Sequence, residues 1–218
     1  MRACCFSLFL LLVLTFSACQ KEISGDIIPG GGGGGTSSDY QPTTAGSEWN
    51  YTSTAAGNYK IVSIGSDSLI NGLQYAKFDN INNGTAVRFY VNKNNGVYRN
   101  YGYFPAASQV IDLIVLKDSA VGTTWTNTLT TMGFSNYHKY TVHAKGQQRT
   151  VKGVNYNNVI ELDYEFLFDD PLGGGMISGG TGKNFWAKGV GAIESFYNLG
   201  FFGINISDTT QLVSYTIH

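Results

Sequence analysis

The residues best suited to chemistry lie on one short stretch. From Val159 to Phe168, Ile160, Leu162, Tyr164, Phe166 and Phe168 fall on one face of an extended strand, and Glu161, Asp163 and Glu165 on the other, continued by Asp169. Strand rise spaces neighbouring carboxylates about 6.6–6.8 Å apart. Paired carboxylates can serve as acid and base on a glycosidic bond, or hold a calcium ion. The same alternation also describes a sheet with one buried face, whose acids are then a solvated surface. That reading is preferred, so no catalytic residue and no metal ligand is assigned. Glu161, Asp163 and Glu165 are retained as candidate ligand contacts.

Other candidates are weighed in the same way. Asp170 to Asn184 contains Gly173, Gly174, Gly175, Gly179, Gly180 and Gly182 and reads as a glycine-rich loop over one end of a sheet, with Met176 and Ile177 able to close on a ligand. Gly182-Lys183 lacks the earlier glycine and the following Ser/Thr of a phosphate loop. Trp186 is a further candidate contact. His138 and His143 are five residues apart, so they point to opposite faces of a strand, and neither has zinc-ligand spacing. No cofactor is implied. Tyr98, Tyr101, Tyr103 and Phe104 form one aromatic cluster, and Phe196, Tyr197, Phe201 and Phe202 another. Such rings stack on sugars, but more often they fill cores and pair across strands.

Three triplets, Asp67-Ser68-Leu69, Asp118-Ser119-Ala120 and Asp208-Thr209-Thr210, resemble the Asp-Ser/Thr-apolar O-glycosylation sites of exported Bacteroidota proteins. The resemblance would mark Ser68, Ser119 and Thr209. Ordinary turn chemistry accounts for the same triplets, because Asp and Ser bond the local backbone.

Positioning these side chains falls to strands. Glu48–Ser53, Asn58–Gly65, Asp67–Ile70, Leu73–Asp79, Ala86–Lys93, Val97–Tyr103, Gln109–Lys117 and Thr123–Leu129 are predicted in the first part. Tyr137–Lys145, Gln148–Gly153, Val159–Phe168, Asn184–Lys188, Ala192–Tyr197 and Leu212–Ile217 follow. Asn71-Gly72, Asn94-Asn95-Gly96 and Gly146-Gln147 read as hairpin turns. No segment has a sustained helical period; Ala106 to Val110 is the place for a short helix. The expected fold is all-β, an antiparallel meander curled into a half-barrel or barrel, with few or no helices. One domain, residues 46–218, carries it. Charged residues make up 13% of the chain and the net charge is −1, with no basic stripe, which excludes nucleic acid as a partner.

The N-terminus carries a different message. Arg2 precedes an apolar run from Phe6 to Phe16, too short to span a bilayer, and Ser17, Ala18 and Cys19 follow. Phe16-Ser17-Ala18-Cys19 resembles a bacterial lipobox, which implies cleavage after residue 18 and lipid on Cys19. Cys4 and Cys5 would leave with the signal, so Cys19 would be the mature chain's lone cysteine. Gln20-Lys21-Glu22 resembles the signal that sends Bacteroidota lipoproteins to the outer face of the outer membrane. Residues 19–45, with Gly30 to Gly35 in an unbroken run, read as a flexible tether spanning roughly 25–30 Å.

Three motifs, Gly46-x-x-Trp49-x-Tyr51, Gly122-x-x-Trp125 and Trp186-Ala187-Lys188-Gly189-Val190-Gly191, resemble those of Bacteroidota lipoproteins with a LolA/LolB-like sheet. The resemblance implies a fold and no activity. The expected protein is a membrane-anchored, non-enzymatic lipoprotein of the cell envelope, binding a lipid, a glycan or an envelope partner. A glycan hydrolase using the strand carboxylates and a purely structural surface protein are the alternatives. Expressed in a lipoprotein-processing host, the chain should incorporate labelled palmitate, and Cys19→Ser should remove the label.

Overall fold

The structure is a computed structural model that describes residues 39–104, 109–131, 134–170, 173–201 and 204–218. Cys19, the tether glycines, Phe202 and most of the short-helix candidate at 106–110 lie outside the described residues. Gln109 and Val110 are strand.

Twelve strands form one antiparallel sheet: β1 (Glu48–Ser53), β2 (Gly57–Ile70), β3 (Leu73–Asn82), β4 (Thr85–Asn94), β5 (Val97–Phe104) and β6 (Gln109–Lys117), then β7 (Thr124–Thr131), β8 (Phe134–Val151), β9 (Val154–Asp169), β10 (Met176–Ala187), β11 (Gly191–Phe201) and β12 (Ile204–Thr216). Each strand pairs with its sequence neighbours, except that β1 also pairs with β12 while β6 and β7 form no ladder. The meander therefore curls into a nearly closed barrel, with no helix among the described residues. Its one break lies between two consecutive strands, far along the chain from either end.

Turn chemistry explains four of the hairpins. Asn71-Gly72, Asn83-Gly84, Asn95-Gly96 and Lys152-Gly153 all take positive φ at both central positions, which a type I′ turn requires. The turn expected at Gly146-Gln147 is not there. β8 runs through it as one strand, with Gly146 at φ 70 and irregular register from Val142 to Arg149. Gly146 bends the strand and does not reverse it. The two strands expected before Asn71 are likewise one, β2, whose register breaks between Ser63 and Asp67.

The glycine-rich loop expected over residues 170–184 is also mostly strand, because β10 starts at Met176. Its glycines make room for rings. A Cβ at Gly179 would lie 2.4 Å from the Phe166 ring, and one at Gly182 2.5 Å from that of Tyr197. The fold also begins before Gly46. Tyr40 is buried, and the Gly46 and Ser63 amides bond the Ser63 and Ser47 carbonyls, respectively.

Two apolar clusters fill the fold. One gathers Trp49, Tyr51, Phe78, Val151, Tyr156, Val159, Phe185, Ile193 and Leu212. The other gathers Tyr40, Tyr98, Leu116, Trp125, Tyr140, Val142, Ile160, Leu162 and Tyr164. The three sequence motifs act here. The Trp49 indole N–H donates to the Val190 carbonyl at 2.6 Å, and the Tyr51 hydroxyl to the Ala192 carbonyl at 2.8 Å. The first motif thus docks on the third. Trp125 of the second stacks on Tyr140 and donates to the Ile114 carbonyl across the break. Trp49→Ala should cost about 3–5 kcal/mol, as removal of a large buried aromatic does, read as a lower urea midpoint with an unchanged slope.

Candidate functional site

Alternation in β9 does what its pattern implied. Ile160, Leu162, Tyr164 and Phe168 are buried, while Glu161, Asp163 and Glu165 face the outer wall. Antiparallel register then decides their neighbours. Asp163 sits between Thr141 of β8 and Lys183 of β10; Lys183 lies beside Phe196 of β11, and Phe196 beside Thr209 of β12. One row along, Glu165 sits between Lys139 and Thr181, followed by Asn198 and Ser207. These two rows line an open groove of about 660 Å³.

The β8–β9 side of the groove is charged. Lys139 pairs with Glu165 at 3.1 Å. Lys183 bonds Glu161 and lies 3.2 Å from Asp163. The Glu161 bond, aided by Asp163, raises the Lys183 pKa above its ordinary value. His143 Nδ1 lies 2.8 Å from an Asp163 oxygen. The β11–β12 side is less charged, with Asn198, Ser207 and Thr209, and with Asp208 as its acid. Between them the Phe196 ring is 36% exposed, enough for a flat group to reach it. The next row is closed. Arg149 lies 3.3 Å over the Phe185 ring and binds Glu194, which also accepts from Gln211.

No metal ligands were assigned from sequence, yet His143, Glu161 and Asp163 offer ligand atoms within 4.8 Å of one another. Thr141 pairs with Asp163, and alternation puts His143, two residues on, on the same face. The Lys183 ammonium already sits against both carboxylates and supplies the positive charge a metal ion would bring. His138 points the other way, as its spacing implied, and its ring meets the Tyr164 hydroxyl at 2.8 Å.

The remaining candidates scatter. Trp186 packs against the interior cluster around Ile160 and Leu162. Met176, 64% exposed, stands at the start of β10 outside the groove lining. Thr209 lines the groove, but the carboxylate before it is committed. One Asp208 oxygen accepts from Ser53, Thr54 and the Ala55 amide, and the other from Thr210. Burial pushes the Asp208 pKa up, but these hydrogen bonds outweigh it and hold the carboxyl below its ordinary range. Asp67 accepts from Gln74 and Asp118 from Lys145, and Ser68 and Ser119 are half-buried.

Sequence reasoning missed Lys139, Lys183, Thr181, Asn198 and Ser207 as groove residues. Two of them had a signal: a basic residue on each strand flanking the acidic face of β9. The other three depend on register alone.

No family model matches the chain, and no curated protein does. Among solved structures, a candidate lipoprotein from Parabacteroides distasonis aligns with TM-score 0.52 at 11% identity, over 84% of this chain and 100% of its own. A candidate exported protein with a YmcC-like fold from Bacteroides fragilis aligns with TM-score 0.50 at 10% identity, over 80% of this chain and 97% of its own. At these identities the likeness is one of fold.

Burial lowers the His138 pKa below its ordinary value. The folded state therefore binds fewer protons there than the unfolded chain. Stability should be flat above about pH 6.5 and fall as the pH drops from there toward the lower folded pKa. Urea midpoints across pH 7.5–5 should show this slope, and His138→Phe should flatten it.

Proposed function

We propose that this chain is an exported, lipid-anchored envelope protein whose outer groove binds a glycan without cleaving it. The observation that carries the reading is Phe196: an exposed ring flanked by hydroxyls, an amide and paired charges. A pyranose has an apolar face for such a ring and a rim of hydroxyls for such neighbours. Each candidate acid is engaged by a cation, so neither Asp163 nor Glu165 is presented as an unpartnered proton donor. That favours binding over hydrolysis. Two packed clusters occupy the fold, which favours a ligand on the outer wall over a lipid inside.

Anchoring rests on Phe16 to Cys19 and on the tether reading. The export-related descriptions of the two structural neighbours are consistent with it. Placement on the outer face of the outer membrane rests on Gln20-Lys21-Glu22. Polysaccharide arrays followed by calorimetry on the best binder test the groove. Phe196→Ala should weaken binding roughly tenfold, equivalent to about 1.4 kcal/mol, at unchanged circular dichroism, and the recovered glycan should be intact. Equal affinity in the variant would dismiss the groove as the site.

A further inference from the structure

The break between β6 and β7 is closed by side chains. Asn127 uses its amide as a stand-in for a strand neighbour: its Oδ1 accepts from the Ile114 amide at 2.9 Å, and its Nδ2 donates to the Ile114 carbonyl at 3.0 Å. The Trp125 indole donates to that same carbonyl at 2.9 Å. Toward the other end, Gln109 Nε2 donates to the Thr130 carbonyl at 2.9 Å. Every other junction in the ring is a backbone ladder. A junction with few bonds opens at lower free energy than one with many.

Behind the break lies Tyr40, 3% exposed, in the cluster that includes Tyr98 and Leu116 on the β5–β6 side and Trp125 and Tyr140 on the β7–β8 side. Its amide donates to the Tyr98 hydroxyl at 3.0 Å, and Lys188 stands 6.0 Å over its ring. Asp39 beside it binds Lys93, and its carbonyl accepts from the Gly189 amide at 2.7 Å. The pair Asp39-Tyr40 thus joins the β4–β5 turn to the β10–β11 turn, on opposite sides of the break.

We infer that the β6–β7 seam and the Asp39-Tyr40 segment form one latch: the seam parts before the rest of the barrel unfolds, and seated Tyr40 holds it shut. Residues read as tether run directly into this segment, so a pull along them loads the latch first. The inference does not depend on the groove or its ligand.

Two indole protons report on it within one molecule. Trp125 Nε1–H is held at the seam, and Trp49 Nε1–H is held at the β10–β11 turn. Hydrogen exchange of the full chain in detergent micelles, followed by NMR over sub-denaturing urea, separates local from global opening. Trp125 should exchange faster than Trp49 and with a much smaller urea dependence. Tyr40→Ala should speed Trp125 by roughly tenfold or more beyond any change at Trp49. Tyr40→Phe should change neither. If Tyr40→Ala does not fold, Asp39→Asn carries the test, with the same selective direction. Equal rates and equal urea slopes for the two indoles in the wild type would overturn the inference. So would a variant that speeds both alike.

Discussion

The pairing of β1 with β12 is the contact on which the rest of the barrel depends. A meander of consecutive hairpins has two free edges, and each is a row of unpaired backbone groups. Here the first and last strands meet along six residue pairs, from Glu48–Thr216 to Ser53–Thr210. Trp49 and Tyr51 fix that meeting, since both also donate to main-chain carbonyls at the start of β11 or just before it. Gly191 belongs to the same device: a Cβ there would lie 3.3 Å from the Trp49 indole nitrogen, at a φ of +121 that favours glycine. One tryptophan and one glycine, distant in sequence, thus fix how β1 meets the start of β11.

Closing the sheet at its termini moves the unavoidable mismatch elsewhere. It appears between β6 and β7, where six residues connect the strands and the turn at Ala120–Thr123 leaves them without a ladder. Asn127 satisfies both backbone groups of Ile114, so the break leaves that residue paired. Trp125 covers it from one side, and the Lys117 ammonium sits 5.5 Å from the tryptophan ring. The barrel is thus strong where its ends meet and lightly pinned at this seam.

The outer wall follows from the same geometry. Once β9 turns its apolar face inward, its acids must face solvent, and register brings Lys139 and Lys183 beside them. Exposed ion pairs of this kind contribute little stability. Their effect is on shape and polarity: they define one side of a groove whose other side carries hydroxyls, an amide and the acid Asp208. Arg149 covers the adjoining row, so the groove ends at Phe185 and leaves the Phe196 ring in the open.

Much of this was legible in the chain. Strand alternation from Ile160 to Phe168, the Asn-Gly turns and the aromatic composition determined an all-β meander, because a period of two and a positive-φ turn are local properties. They also determined that Glu161, Asp163 and Glu165 would face away from the core. The glycines of β10 misled, since a glycine that makes room for a ring looks the same in sequence as one that loosens a loop. Gly146 misled for the same reason, a bend reading as a reversal. Only the tertiary structure decided that β1 would close on β12, that the break would fall between β6 and β7, and that Tyr40 would leave the tether for the core. It alone placed Lys183, Phe196 and Asn198 beside the acids. Register across five strands and closure of a ring are long-range, and no local pattern of residues encodes them.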